Sequence, residues 1–178
     1  MEENTFAHVT IRYATERDLP QVVLINRKEL PENYPYSFFE YILFTNPKFF
    51  YVAEINGKIV GYLMAQKEGR GRILLNPIPE ITKEEPTIHL LSIAVLKKYQ
   101  GKGIGSQLVK KLIEEALKEG IRYIYLEVRV SNERAQKLYE KHGFKKVKRL
   151  AHYYMDGEDA YVMLIDLDEL RGVSNKAL

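Results

Sequence analysis

The residues Gln100-Gly101-Lys102-Gly103-Ile104-Gly105 stand between a β-rich apolar run and a strongly amphipathic stretch. That context suits an anion. Glycines allow close backbone approach, and the first N–H groups of the following helix, at its positive end, attract negative charge. Two nucleotide sites fail on spacing, because Ser106 stands where a dinucleotide fingerprint needs its last glycine and no Gly-Lys-Ser/Thr closes the run. Another pyrophosphate-bearing ligand is therefore expected, with a plain tight turn as the alternative. Glu127 falls within Ile124, Leu126 and Val128 in a strand-like run. A carboxylate there is costly unless paired or solvated in a cleft, so it reads as either a base or a salt-bridged support. His89 begins another apolar run, where a neutral imidazole can relay protons or simply be structural. Glu32 lies in a loop flanked by Leu30-Pro31 and Tyr34. Tyr139 shares an apolar helical face with Ala135 and Leu138, and a buried hydroxyl there needs a partner.

The elements that must position these groups follow from periodicity and turn chemistry. Val9 to Tyr13 reads as a strand, and Thr15-x-x-Asp18 caps a helix carrying Leu19, Val22, Val23 and Leu30. A short helix is predicted from Pro35 to Asn46-Pro47. Two β-rich runs, Phe49 to Ile55 and Lys58 to Gln66, are joined by the hairpin dipeptide Asn56-Gly57. Lys67 to Pro86 is polar and proline-containing, a long loop or hairpin extension, before a strand at Ile88 to Val95. Gly105, Leu108, Val109, Leu112, Ile113, Ala116 and Leu117 recur at helical spacing, stopped by Gly120. Arg122 to Val130 is a strand, Asn132 to Lys141 a helix, and Phe144 to Leu150 and Asp159 to Leu167 two more strands. Strands 88–95 and 122–129 flank a helix and should run parallel, giving a mixed, twisted α/β sheet with helices on both faces.

The 178 residues fit one domain, expected over 1–170 with a short tail at 171–178. No apolar run approaches the ~20 residues of a membrane span, and the acidic start Met1-Glu2-Glu3-Asn4 does not resemble a secretion signal. A cytoplasmic location and no membrane partner are expected. The absence of cysteine excludes disulfides and thiolate chemistry, and His8, His89, His142 and His152 lack metal-ligand spacing, so no metal is expected. The net charge of +3 is slight and gives no reason to expect specific nucleic-acid binding, although Lys97-Lys98, Lys102, Lys110-Lys111 and Lys145 to Arg149 cluster.

The strand and helix order, with Gln-x-x-Gly-x-Gly before the long helix and the block from Leu126 to Asn132 with Ala135, Leu138, Tyr139 and Gly143-Phe144, resembles the GNAT acetyltransferase superfamily. The segments Leu30-Pro31-Glu32-Asn33-Tyr34 and Tyr153 to Tyr161 are similar to those of protein N-terminal acetyltransferases, the NatA catalytic type and its archaeal relatives, and Leu126 to Arg129 is similar to the RimI type. The resemblance implies a seven-stranded GNAT fold with about four helices and acetyl-CoA as donor, coenzyme A being the product. Its pyrophosphate would rest on Gln100, Gly101, Lys102, Gly103, Ile104, Gly105 and Ser106, and its pantetheine on Ile93, Ala94 and Val95. Asn132 and Tyr139 would also contact it. Lys97, Lys98 or Lys102 would meet the ribose phosphate. The base would be Glu127, as in RimI-like enzymes, or His89 with Glu32, as in archaeal NatA-like ones. Tyr139 would assist the departing thiolate. Leu30, Pro31, Tyr34, Tyr153 and Tyr154 would line the acceptor slot. The implied acceptors are N-termini of proteins or nascent chains, with Ser-, Ala-, Thr- and Met-first termini included and ribosome association expected. A GNAT acting on a small amine or on lysine, and a non-catalytic acyl-CoA-binding module, are the competing readings.

Overall fold

A computed structural model of the chain describes residues 8–69, 77–81 and 84–176. Residues 70–76 and 82–83 of the expected 67–86 segment lie outside the described residues. The elements are β1 (Thr10–Tyr13), α1 (Leu19–Glu29), α2 (Tyr36–Thr45), β2 (Phe50–Ile55), β3 (Lys58–Glu68), β4 (Thr87–Val95), α3 (Ile104–Lys118), β5 (Tyr123–Arg129), α4 (Glu133–Lys141), β6 (Lys145–Leu150), β7 (Ala160–Asp166) and α5 (Leu167–Lys176). The seven strands form one mixed sheet in the order β1-β2-β3-β4-β5-β7-β6. This is the expected α/β architecture with one more helix than the roughly four that periodicity implied. β3 also runs to Glu68, two residues beyond its apolar stretch.

The chain divides into two compact units, Met1–Gln66 with Leu91–Leu112, and Lys67–Leu90 with Ile113–Leu178. In the first, Val22 and Val23 of α1 and Phe39 and Ile42 of α2 pack against Phe50, Val52, Tyr62 and Met64 of the sheet. α3 takes the opposite face, its Lys111 ammonium 5.0 Å from the Tyr13 ring, which in turn meets Tyr51 at 6.0 Å. Asn56 and Gly57 both adopt positive φ, 50° and 80°, as the favoured two-residue hairpin turn requires. Thr15 and Asp18 form the capping box, although one 3₁₀ turn precedes α1. Asp18 is buried and chelated by Arg12, whose Nη1 and Nη2 donate to its two oxygens at 2.8 and 2.9 Å. Burial pushes its carboxyl pKa up, but Arg12 and the Thr15 N–H and hydroxyl outweigh that and hold it below the usual range.

In the second unit β4 pairs with β5 in parallel, Thr87 opposite Tyr123 and His89 opposite Tyr125. β5 pairs antiparallel with β7, which places Leu164 opposite Tyr125 and Val162 opposite Glu127. Tyr123, Tyr125, Val162, Leu164, Leu150 and Ala160 form one apolar cluster on this part of the sheet, with Tyr154 packed against it. Leu167, fully buried, passes the chain directly from β7 into α5, and its N–H donates to Arg122 O at 2.7 Å.

Candidate active site

The glycine loop is built in the first unit. After β4 a 3₁₀ turn at Lys97–Tyr99 is closed by N–H donation from Tyr99 to Leu96 O at 2.8 Å, and the Gln100 side-chain amide donates back to Val95 O at 2.8 Å. Gly101 and Gly103 follow with φ of +77° and +82°, so α3 begins at Ile104 with the Gln107 N–H donating to Gly103 O at 3.0 Å. A Cβ at either glycine would meet nothing within 4 Å. Backbone conformation, rather than lack of space, demands glycine at both positions. Helix geometry gives first-turn N–H groups no intrahelical acceptor, so this end of α3 is an anion site in waiting. The ammonium groups of Lys58, Lys98 and Lys102 lie 5.7, 5.9 and 5.7 Å from the Tyr99 ring centroid and add positive charge beside it. Lys58 went unnoticed in the sequence because it is contributed by the start of β3. Ile93, Ala94 and Val95 form the last turn-ward half of β4, with Ala94 buried and its neighbours half-buried.

The same unit holds Leu30, Pro31, Glu32 and Tyr34. Buried Asn26 organises this loop, donating from Nδ2 to Glu32 O at 3.1 Å and to the Tyr62 hydroxyl at 3.0 Å. Tyr62 and Ser92 share a further 2.7 Å hydrogen bond, and burial pushes the Tyr62 phenol up to about 12. Asn33 donates to Leu30 O at 2.9 Å, while Tyr34 stacks on Phe38 at 4.8 Å and donates to Leu91 O at 3.4 Å. The loop is thus held by hydrogen bonds instead of by regular structure.

The second unit gathers the ionisable groups. His89 Nε2 lies 2.6 Å from Glu127 Oε2, and its Nδ1 lies 3.4 Å from Glu68 Oε1. The imidazole stacks on Tyr125, centroids 4.2 Å apart and planes 12° from parallel. The Tyr125 hydroxyl donates to both Glu68 oxygens, at 3.0 and 2.9 Å. The parallel register explains the meeting: His89 sits opposite Tyr125, and Glu127 is two residues further along the same face of β5. His89 and Glu127, read from sequence as competing bases, are therefore one hydrogen-bonded unit, whereas the expected pairing was His89 with Glu32. Glu68 was not singled out because it sits in the polar tail of the β3 run.

Tyr139 lies on the buried face of α4, 5% exposed, with Phe144 tilted at 60° and 5.8 Å from it. Its hydroxyl has no hydrogen-bond partner among the described residues, and burial drives its pKa well above the ordinary tyrosine value. Asn132 caps α4, its Oδ1 accepting from the Ala135 N–H at 3.2 Å. This leaves its amide NH₂ as the group for any ligand contact. Tyr153 and Tyr154, in the hairpin between β6 and β7, meet edge to face at 5.0 Å. Arg129 fixes this hairpin: its guanidinium covers the Tyr154 ring at 4.1 Å, and Nη1 donates to Asp156 and Glu158 at 2.8 and 2.9 Å. Glu158 in turn accepts from the Ser131 hydroxyl at 2.6 Å and the Ser131 N–H at 3.0 Å, and these bonds, with Arg129, lower its pKa. Arg129 was legible only as part of the block from Leu126 to Asn132, not as a clamp.

With this geometry in place, comparison with known proteins finds that the model of the acetyltransferase (GNAT) family matches residues 15–144. The chain belongs to the GNAT acetyltransferase family. Among curated GNAT relatives, an N-alpha-acetyltransferase of Sulfurisphaera tokodaii is 47% identical over 88% of this chain and 92% of its own. Of solved GNAT structures, Ard1 from Thermoplasma volcanium aligns with a TM-score of 0.76 and 26% identity over 89% of this chain and 97% of that one. The ribosomal-protein-S18-alanine N-acetyltransferase of Escherichia coli aligns with a TM-score of 0.71 and 28% identity over 89% and 94% of the two chains. Among the described residues no group of His, Cys, Asp and Glu has the arrangement of a metal site. No described helix is long and apolar enough to cross a membrane.

Proposed function

We propose that this chain is an acetyl-CoA-dependent N-alpha-acetyltransferase acting on the α-amines of protein N-termini, Ser-, Ala-, Thr- and Met-first included, in the cytoplasm and near nascent chains. The observation that carries the reading is the 2.6 Å Glu127–His89 pair, a carboxyl group held within an apolar strand against an imidazole. The close relatives named N-alpha-acetyltransferase support it. Fit to the donor rests on the open cradle at Gly101 and Gly103 and on the three lysines around Tyr99. Acetyl-CoA supplies an acetyl thioester, whose carbonyl carbon accepts the amine nitrogen and whose thiolate departs.

The chain's own residues supply the rest. Gln100 to Ser106, with Lys58, Lys98 and Lys102, hold the pyrophosphate and phosphate charge, and Ile93 to Val95 and Asn132 take the pantetheine by hydrogen bonds. An α-amine titrates near ~7.7–8.0 and is largely protonated at neutral pH, so the attacking nitrogen must first lose a proton. Glu127, hydrogen-bonded to His89, receives it. Tyr139 donates a hydrogen bond to the leaving sulfur from a hydroxyl that has no competing partner among the described residues. Leu30, Pro31, Tyr34, Tyr153 and Tyr154 hold the first residues of the acceptor.

Acetyl-CoA turnover against peptides differing only at residue one, with an N-terminally blocked lysine peptide alongside, tests the assignment. Rapid transfer to free α-amines with little to the blocked peptide is expected. Preference for the lysine side chain would overturn it.

A further inference from the structure

We propose that Asn26, in the last turns of α1, is a positioning residue for the acceptor: its amide fastens the loop 30–34 to the sheet and so sets how tightly the first residues of the substrate are held. This deepens the acetyltransferase reading and rests on it for the nature of the acceptor. Asn26 is fully buried. A buried amide is costly unless its two N–H groups and its oxygen all find partners, and asparagine is a poor helix former besides. Here each group is used. Nδ2 donates to Glu32 O at 3.1 Å and to the Tyr62 hydroxyl at 3.0 Å, while Oδ1 accepts from Asn33 Nδ2 at 3.3 Å. The Asn26 backbone carbonyl accepts from the Leu30 N–H and from Asn33 Nδ2, both at 3.1 Å.

These bonds run from one side chain in two directions. On the loop side they hold the Glu32 carbonyl and the Asn33 amide, and Asn33 also donates to Leu30 O at 2.9 Å. On the sheet side Tyr62 of β3 is itself fully buried and shares a 2.7 Å hydrogen bond with Ser92 of β4, 6% exposed. β4 continues from Ser92 directly into Ile93, Ala94 and Val95, the residues assigned to the pantetheine. Acceptor loop and donor strand, both in the first unit, are thereby joined through the buried side chains of Asn26, Tyr62 and Ser92. Aromatic contacts close the same circuit, since Tyr62 meets Phe39 edge-on at 6.2 Å and Phe39 meets Tyr34 at 6.1 Å. Residues 30–34 form neither helix nor strand, so side-chain bonds decide where the loop lies. Stability alone does not call for this network, because apolar groups of the same shape in place of both partners are typically neutral or stabilising. What such groups cannot do is hold the Glu32 carbonyl in one place, and a binding loop works when a rigid element holds it so.

The test uses the intact protein and the variants Asn26→Leu/Tyr62→Phe and Asn33→Ala. The double variant replaces both buried partners by apolar groups of similar shape. Asn33→Ala cuts the same junction from an exposed position and carries the decision where the double variant folds poorly. Hydrogen exchange without substrate should be roughly 2–12-fold faster across 30–34 in both variants, the loss of about one hydrogen bond, with β2 and β3 unchanged. This readout needs no acetyl transfer, so it stands apart from failure of the acetyltransferase assignment. In turnover the KM for a Ser-first peptide should rise by roughly 3–12-fold, while kcat changes less and the Kd for acetyl-CoA by calorimetry stays within about twofold, because β4 keeps its place in the sheet. Loop exchange like that of wild type in both variants, an unchanged peptide KM, or a KM that rises only in step with the Kd for acetyl-CoA would overturn the proposal.

Discussion

Replacing Tyr139 by Phe removes one hydroxyl and leaves a ring that is 5% exposed and packed on Phe144 at 5.8 Å. Its consequence depends on what the hydroxyl does for sulfur. A thiol titrates near ~8.5 and an ordinary phenol near ~10, so a phenol is already the weaker acid. Burial raises Tyr139 further above that ordinary value. In the proposed role it would therefore keep its proton at equilibrium and stabilise the thiolate by a hydrogen bond instead of protonating it. Hydrogen bonds to charged groups contribute ~1.5–3 kcal/mol, and each ~1.4 kcal/mol of barrier is tenfold in rate. Tyr139→Phe should accordingly slow acetyl transfer by ~10–150-fold, short of the ~10⁴ at the upper end of full general-acid catalysis. Single-turnover transfer to a saturating peptide measures the rate, and calorimetry the acetyl-CoA affinity, which should stay within a few-fold of wild type. The melting temperature should hold or rise, because among the described residues the hydroxyl has no partner to lose. An unchanged rate would refute the assignment, as would a rate loss wholly matched by lost affinity.

The glycine loop yields a second test: Gly103→Val must adopt a φ near the observed +82°, at a cost of ~1–2 kcal/mol, or distort the loop, so acetyl-CoA affinity by calorimetry should fall about tenfold while the helical circular dichroism is retained. Undiminished binding would show that the loop does not hold the cofactor. A third concerns pH. Asp18 has a folded pKa below its unfolded value, so its stabilisation is present above the unfolded pKa of ~3.9 and is lost as pH falls through the folded one. Asp18→Asn should cost about 1–2 kcal/mol in urea unfolding at pH 7, allowing for solvent around the third-exposed Arg12, and the gap should narrow below ~pH 4. A gap that is constant with pH would remove the ion pair from the account.

Local chemistry explains which elements were legible. The Asn56-Gly57 turn, the positive-φ glycines before α3 and the seven-residue apolar pattern of α3 itself each encode their conformation within a few residues. The parallel β4–β5 pairing followed from the intervening helix, and the ladder from Thr87 to His89 agrees. α5 escaped because Asp166 ends a strand and Leu167 begins a helix without any turn residue between, and Gly172 interrupts the short pattern that follows. A boundary with no breaker is invisible to periodicity. Residues 70–76 and 82–83, within the segment whose conformation sequence left open, lie outside the described residues.

The candidate site divides along the same line. Glu127 was conspicuous because a carboxylate in an apolar strand calls for an explanation, and Tyr139 because a hydroxyl on a buried helical face does. Their partners were not, since Glu68, His89 and Glu127 come from three strands and owe their meeting to register. The information was nevertheless within reach. Once β4 and β5 are taken as parallel neighbours with His89 beside Tyr125, the two-residue period of β5 puts Glu127 on the face of His89, and the 2.6 Å contact gives each polar group a partner. What register cannot supply is Glu68, which comes to His89 from the end of β3 where the apolar pattern has already stopped, and which accepts from the hydroxyl of a tyrosine in the apolar cluster. A polar residue just past an apolar strand is usually a solvated end; here, two strands away from Glu127, its side chain is only 12% exposed and holds the Tyr125 hydroxyl beneath the His89 ring, so the end of β3 belongs to the cluster instead of to solvent.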